Sequence, residues 1–196
     1  MNSTINYYNE NAAEYANTTL EIDMSRLWEP FEKHLPKDAH ILDLGCGSGR
    51  DTKHFLMQGY IVTAVDGAQK LCEEAEKNTG HPVKCMMFQD IDYVDEFDGI
   101  WACSSLLHLN KKEVVDIMHS IFRALKSGGI FFTCFKYGDD EYDDEKGRHF
   151  SSYTENTVMD IFEKVSDQCA EVNVWVTGDN LGGRDVKWVN VIAAKL

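Results

Sequence analysis

Three glycines at alternate positions, Gly45, Gly47 and Gly49, interrupt a stretch that is apolar before them and helix-forming after them: Ile41-Leu42-Asp43-Leu44-Gly45-Cys46-Gly47-Ser48-Gly49-Arg50. Glycine is required where a chain turns sharply and lets a ligand approach its backbone. The spacing separates two kinds of ligand. A dinucleotide-binding turn carries its third glycine one residue later, where Arg50 stands, so a pyrophosphate is poorly matched. Asp43, just ahead of the turn, is a poor neighbour for phosphate and suits a ligand with a cationic amine. Asp66 closes the next apolar run about 20 residues after Gly47, the separation at which an acid accepts hydrogen bonds from ribose hydroxyls. Asp90 closes the third run and is placed to receive an adenine amino group.

S-Adenosylmethionine has that amine, that nucleoside and no phosphate. Methyl transfer from its sulfonium is an in-line displacement, and holding two reactants in line supplies about 7–11 kcal/mol of the barrier. Neither a covalent nucleophile nor a metal is needed, and a general base is needed only where the acceptor must shed a proton. His108, in Ser104-Ser105-Leu106-Leu107-His108, is the candidate base; its alternative is a loop histidine with a local hydrogen bond. Arg148, His149 and Tyr153 follow an acidic segment and are candidates to line an acceptor pocket, joined by Arg184. That segment, Asp139 to Glu145, places six acids around Tyr142. It reads either as a solvated loop or as a lid that attracts a cationic acceptor. The six cysteines are scattered singly without paired histidine spacing, so neither a metal site nor a disulfide framework is indicated.

These side chains act together only if several strand ends meet at one edge, and the pattern of the chain provides for that. Ile41 to Leu44, Ile61 to Val65, Val83 to Phe88, Gly99 to Cys103 and Ile130 to Phe135 read as buried strands alternating with helices, the form of a doubly wound, mostly parallel α/β sheet. Lys111 to Lys126 carries an apolar stripe from Val114 to Leu125, with Gly128 and Gly129 as the predicted stop. Thr154 is the predicted N-cap of a helix with Val158, Ile161, Phe162 and Val165 inward. Val172 to Thr177 and Val186 to Ala194 follow with no helix between them and predict a closing antiparallel hairpin. The expected organisation is one domain: residues 1–37 as a helical cap of one or two helices over the ligand edge, and residues 38–196 as the α/β core.

A formal net charge of −14 with no basic cluster disfavours nucleic acid and anionic membranes as partners. No run approaches the length of a membrane span and the first twenty residues lack a signal-peptide pattern, so the expected location is cytoplasmic.

On these residues the chain resembles the class I S-adenosylmethionine-dependent methyltransferases. Asp43-Leu44-Gly45-Cys46-Gly47-Ser48-Gly49 matches that family's glycine motif, Asp66-Gly67 its ribose-binding acid, and Gln89-Asp90-Ile91 its adenine-contacting segment. Phe97 to Ser104 is similar to its fourth-strand motif and Leu125 to Gly129 to the turn before its fifth strand. The resemblance implies a Rossmann-like, seven-stranded sheet ending in an antiparallel hairpin. It implies cofactor contacts from Asp43, Gly45, Gly47, Arg50, Asp66, Gly67, Asp90, Ile91 and Ser104. Tyr7-Tyr8-Asn9 with Ala13-Glu14-Tyr15 is similar to the opening of small bacterial methyltransferases of the tellurite-resistance and small-molecule type, which implies that Tyr15 closes over the cofactor. No Asn-Pro-Pro-Tyr or Asp-Pro-Pro-Tyr follows the fourth strand, which departs from the enzymes that methylate exocyclic amines of nucleic acids. The acceptor implied is a small molecule. The competing readings are a nucleoside-binding regulatory protein or pseudoenzyme on the same fold, and, less well matched, a nicotinamide-dependent oxidoreductase.

Overall fold

The computed structural model describes residues 3–179 and 185–196. Three short helices, α1 (Ser3–Glu10), α2 (Ala12–Thr19) and α3 (Ser25–Glu32), precede the first strand, one more than the sequence suggested. The core then alternates β1 (His40–Leu44), α4 (Arg50–Met57), β2 (Ile61–Asp66), α5 (Gln69–Thr79), β3 (Val83–Cys85), β4 (Phe97–Ala102), α6 (Lys111–Ala124) and β5 (Leu125–Lys136). A small ribbon of β6 (Glu141–Asp143) and β7 (His149–Ser151) follows, then α7 (Glu155–Glu163) and the pair β8 (Cys169–Gly178) and β9 (Lys187–Lys195). The sheet order is β3-β2-β1-β4-β5-β9-β8, seven strands, with β9 antiparallel to both β5 and β8. The expected doubly wound sheet with a terminal antiparallel pair is therefore present.

The chain winds outward from β1 in both directions, so β1 and β4 are neighbours whose following loops diverge to opposite sides. Such a switch point opens a crevice at the carboxyl ends of the strands. Each sheet face is sealed by its own apolar cluster. α6 and α7 cover one face with Ile117, Ile121, Phe122, Ile161 and Phe162 against Phe131 and Val191. α3 and α4 cover the other with Phe31 and Phe55 around Trp101, which stacks on Phe132 at 4.0 Å. Gly99 is required there: a Cβ on it would lie 2.8 Å from Phe31 Cζ, so the missing side chain lets α3 rest on the strand.

Two boundaries differ from expectation. Asn110 caps α6 with a full capping box, but the helix stops at Ala124 and the chain enters β5 at once. Gly128 (φ +74°) lies instead in the irregular start of that strand, where pairing with β4 slips between Phe97 and Gly99. The third strand ends at Cys85, because Phe88–Asp90 coils into a 3₁₀ turn. Thr154 caps α7 as predicted. Among the described residues no helix is long and apolar enough to cross a membrane.

Candidate active site

Two cavities adjoin at the switch point, one of about 70 Å³ above β1 and β2 and one of about 220 Å³ above β4, β5 and β9. The smaller is built on the glycine turn. Gly45 and Cys46 N–H groups donate to Val65 O at 2.9 Å, which folds the turn back over β2. Gly45 (φ +83°) has no room for a Cβ, which would collide with Ser105. Gly47 (φ +56°) faces the Tyr15 ring, 3.3 Å from where its Cβ would be. Asp66 accepts from Gly47 N–H at 3.0 Å and Ala68 N–H at 2.8 Å, and burial raises its pKa above the usual carboxylate value. Gly67, Met87, Phe88 and Ile5 complete the wall.

Asp43 is buried beneath the turn and lines neither cavity; it accepts from the Thr52 hydroxyl and so ties β1 to α4. Burial, reinforced by the nearby Asp51, pushes its carboxyl up to about 8. Burial also works against the charge on Asp51. Bidentate Arg50 (2.8 and 2.7 Å) and the Trp101 and Trp28 N–H donors nonetheless hold its pKa below the usual range. Arg50 lines the larger cavity with its guanidinium 3.7 Å from Cys103 Sγ.

Tyr8, Tyr15, Cys103, Ser104 and His108 belong to both cavities and form their common wall. Ser104 holds a left-handed backbone (φ +54°), which costs a non-glycine residue about 1–2 kcal/mol. Its N–H donates to Cys134 Sγ at 3.2 Å, beside Cys103 Sγ at 3.8 Å from the same sulfur. His108 Nδ1 lies 2.7 Å from His149 O, a group that only accepts, so Nδ1 carries the proton and Nε2 accepts from the Tyr8 hydroxyl at 2.8 Å. Burial, with Arg148 and Lys136 nearby, lowers the ring's pKa to about 4. His108 is thus neutral with its basic nitrogen engaged by Tyr8.

The remaining predicted site residues divide. Arg148 lines the larger cavity, paired with Asp144 at 2.7 Å and lying over the Tyr7 ring. Tyr153 does not line it: the isolated pairing of Tyr137 with Tyr153 turns its ring inward against Phe135, and it is buried in the core. His149 stays at the rim, paired with Asp143, and contributes through its carbonyl. Asp90 and Ile91 also miss the cavities, because the 3₁₀ turn leaves Asp90 exposed and buries Ile91 against the α6 cluster. Arg184 lies outside the described residues. The acids of Asp139 to Glu145 do not face the cavity. Lys111 takes Asp139, Arg148 takes Asp144 and His149 takes Asp143, in the β6–β7 ribbon. Asp139, Asp143 and Asp144 are thus held in ion pairs, and none of the six acids is on the cavity lining. Among the described residues no cluster of three or more His, Cys, Asp or Glu could hold a metal ion.

A family model described as a methyltransferase domain matches residues 41–129, the stretch from β1 through the slip in β5. Over that stretch the chain is similar to a methyltransferase domain, in keeping with the class I S-adenosylmethionine-dependent pattern of its glycine turn and Asp66. YqeM of Bacillus subtilis (strain 168), provisionally named a methyltransferase, is 32% identical over 107 residues, covering 50% of this chain and 43% of that protein. The O-methyltransferase resE of Aspergillus sclerotiorum is 27% identical over 135 residues, 63% of this chain and 49% of its own length. The chain thus spans about half the length of the curated relatives it matches. Among solved structures, the 1,6-didemethyltoxoflavin-N1-methyltransferase of Burkholderia thailandensis superposes with a TM-score of 0.82 at 20% identity, covering 98% of this chain and 87% of that one.

Several contributors carry little or no signal in the sequence. Met87 and Phe88 fall in a run that reads as strand, although an apolar pair at a strand's carboxyl end is itself a signal for a ligand wall. Tyr8 stands in the N-terminal motif without a role of its own, and Lys136 reads as an ordinary strand-end lysine. Asn190, in the larger cavity, gave no local signal at all.

Proposed function

We propose that the protein transfers a methyl group from S-adenosylmethionine to a small-molecule acceptor, with the cofactor's nucleoside in the smaller cavity, its amino-acid end at the shared wall toward Arg50, and the acceptor in the rest of the larger cavity. The observation that supports this best is the common wall: two pockets of different character meet at Tyr8, Tyr15 and Ser104, beside the glycine turn and Asp66. The residues fit the cofactor. Asp66 is a buried carboxylate at the end of β2 and would take the ribose hydroxyls; Gly45, Gly47 and Gly67 leave space that a Cβ would fill. Phe88 and Met87, rather than Asp90, would flank the adenine, and Arg50 with Tyr15 would meet the amino-acid end. Asp43 acts from beneath by fixing the turn. When bound, the cofactor supplies an electrophilic methyl group.

The protein's own part is positional. Tyr8, held by His108, and Ser104, held by its strained backbone, fix the junction, and α1 and α2 cover it from water. Alignment of this kind supplies a large share of the rate without a covalent nucleophile. The test is incubation with methyl-labelled S-adenosylmethionine and a fractionated metabolite extract. Label should appear in a low-molecular-weight product; label found only in macromolecules, or no binding of S-adenosylmethionine by calorimetry, would reject the reading.

A further inference from the structure

The larger cavity is lined by one buried acceptor without a hydrogen-bond partner and one ammonium without a carboxylate partner. Asn190, wholly buried in β9, sits opposite Cys134 of β5 on one side and Trp175 of β8 on the other. Its side-chain nitrogen lies 3.2 Å from Trp175 O, 3.1 Å from Thr177 Oγ1 and 3.4 Å from Trp188 O. Two of these are carbonyls and only accept, so the atom beside them is the amide N–H₂ and the other is Oδ1. That oxygen is buried and has no hydrogen-bond partner. An orphaned buried acceptor is costly to a fold and calls for an explanation. Asn190 lines the cavity, and a donor on the bound molecule would satisfy it.

The second group is the Lys136 ammonium. It lies 3.5 Å from the centre of the Phe150 ring and 3.2 Å from Tyr142 Oη, and no carboxylate among the described residues pairs with it. The other cations of this cavity are neutralised, Arg50 by Asp51 and Arg148 by Asp144. Asp179 is the one acid on the described lining, and it accepts from Trp188 Nε1 at 3.2 Å. Lys136 is therefore the cation of the described lining that no carboxylate pairs with, and Asp179 stands on the same lining beside Trp188. Tyr8, Phe150 and Trp188 supply flat aromatic walls.

We propose that the methyl acceptor is a flat, acidic molecule, bound as its anion, whose N–H or O–H donates to Asn190 Oδ1 and whose charge is offset by Lys136. This rests on the methyl-transfer reading above and names its substrate class. It also accounts for His108. An acceptor that arrives ionised brings its own nucleophilic lone pair, which forms the bond to the methyl carbon while the carbon–sulfur pair returns to sulfur. No proton moves, and no base is required.

The test uses protein loaded with S-adenosylhomocysteine, titrated with three ring probes: urate, a flat anion with N–H donors; caffeine, neutral and without them; and tryptamine, a cation. Urate should bind at least about tenfold more tightly than the others. Lys136→Met should weaken urate by about tenfold or more, and Asn190→Ala, which removes the acceptor, by about threefold or more, while S-adenosylhomocysteine binds as in the parent. Retained S-adenosylhomocysteine binding certifies that each variant is folded. Urate binding that is absent, no tighter than caffeine, weaker than tryptamine, or unmoved by both substitutions overturns the substrate class while leaving methyl transfer standing. Failure of the parent to bind S-adenosylhomocysteine removes both.

Discussion

Asparagine in place of Asp66 separates a ligand-binding carboxylate from a brace for the turn, because the two roles have different costs. Both oxygens are engaged, Oδ2 by Gly47 N–H at 3.0 Å and Oδ1 by Ala68 N–H at 2.8 Å. Asparagine keeps one acceptor and turns an N–H₂ toward the other donor, so one backbone amide is left unpaired at a site only 8% exposed. That costs roughly 1–3 kcal/mol of stability. At about 2–4 °C per kcal/mol for a domain of this size, melting should fall by roughly 2–12 °C. The ligand loses separately: a hydrogen bond to a charged acceptor is worth about 1.5–3 kcal/mol and to a neutral one about 0.5–1.5. A net loss of about 1–2 kcal/mol predicts S-adenosylhomocysteine binding roughly 5- to 30-fold weaker. Calorimetry well below the melting temperature, with circular dichroism on the same samples, reads both. A dissociation constant within about twofold of the parent, alongside a lowered melting temperature, would leave Asp66 a turn brace and refute the ribose role.

The buried ionisable groups give opposite pH signatures. His108, lowered from 6.5 to about 4, lets the unfolded chain take up a proton that the folded chain refuses, so its stability contribution is full above pH 6.5 and lost as pH falls toward 4. His108→Gln should flatten that part of the melting-temperature profile, and an unchanged slope would contradict the assignment. Asp43, raised from 3.8 to about 8, contributes below pH 3.8 and loses that contribution as pH rises through 8. Asp43→Asn should therefore raise the melting temperature more at about pH 8 than at about pH 5; an equal or reversed effect is the contrary result. Gly99→Ala places a Cβ 2.8 Å from Phe31 Cζ and should cost about 1–3 kcal/mol as overpacking. Phe31→Leu in the same chain should recover part of that loss in a thermal melt, and no recovery would locate the strain elsewhere.

What was legible in the sequence is what neighbours in the chain decide. The glycine turn, Asp66 and the capping residue Thr154 declare themselves within a few positions, and the strand-only run after Val165 announces the antiparallel pair. Errors arose where tertiary structure chose between local options. Leu125 to Gly129 has a plausible helix stop at Gly128, yet pairing with Phe97 draws Leu125 into β5 and the helix ends sooner. Asp90 looks like a strand-end acid only while the strand is assumed to reach it. The acids of Asp139 to Glu145 gave no hint of their partners, because Lys111 and Arg148 reach them only once the ribbon is folded. Asn190 is the extreme case. Its place depends on the register of β9 against both β5 and β8, which no local pattern fixes.

The common wall also ties two equilibria together. Tyr8 and Tyr15 belong to helices fastened to the core by few bonds, among them Thr4 Oγ1 accepting from His149 N–H and Asn9 Oδ1 accepting from Lys70 N–H. An occupant of either pocket that settles these rings settles them for its neighbour. By linkage, whatever factor the first ligand adds to or removes from the second's affinity, the second returns to the first. Affinities are then a shared property: where an occupant of one pocket tightens the other, the second tightens the first by the same factor, and where it loosens it, the loosening is returned in equal measure.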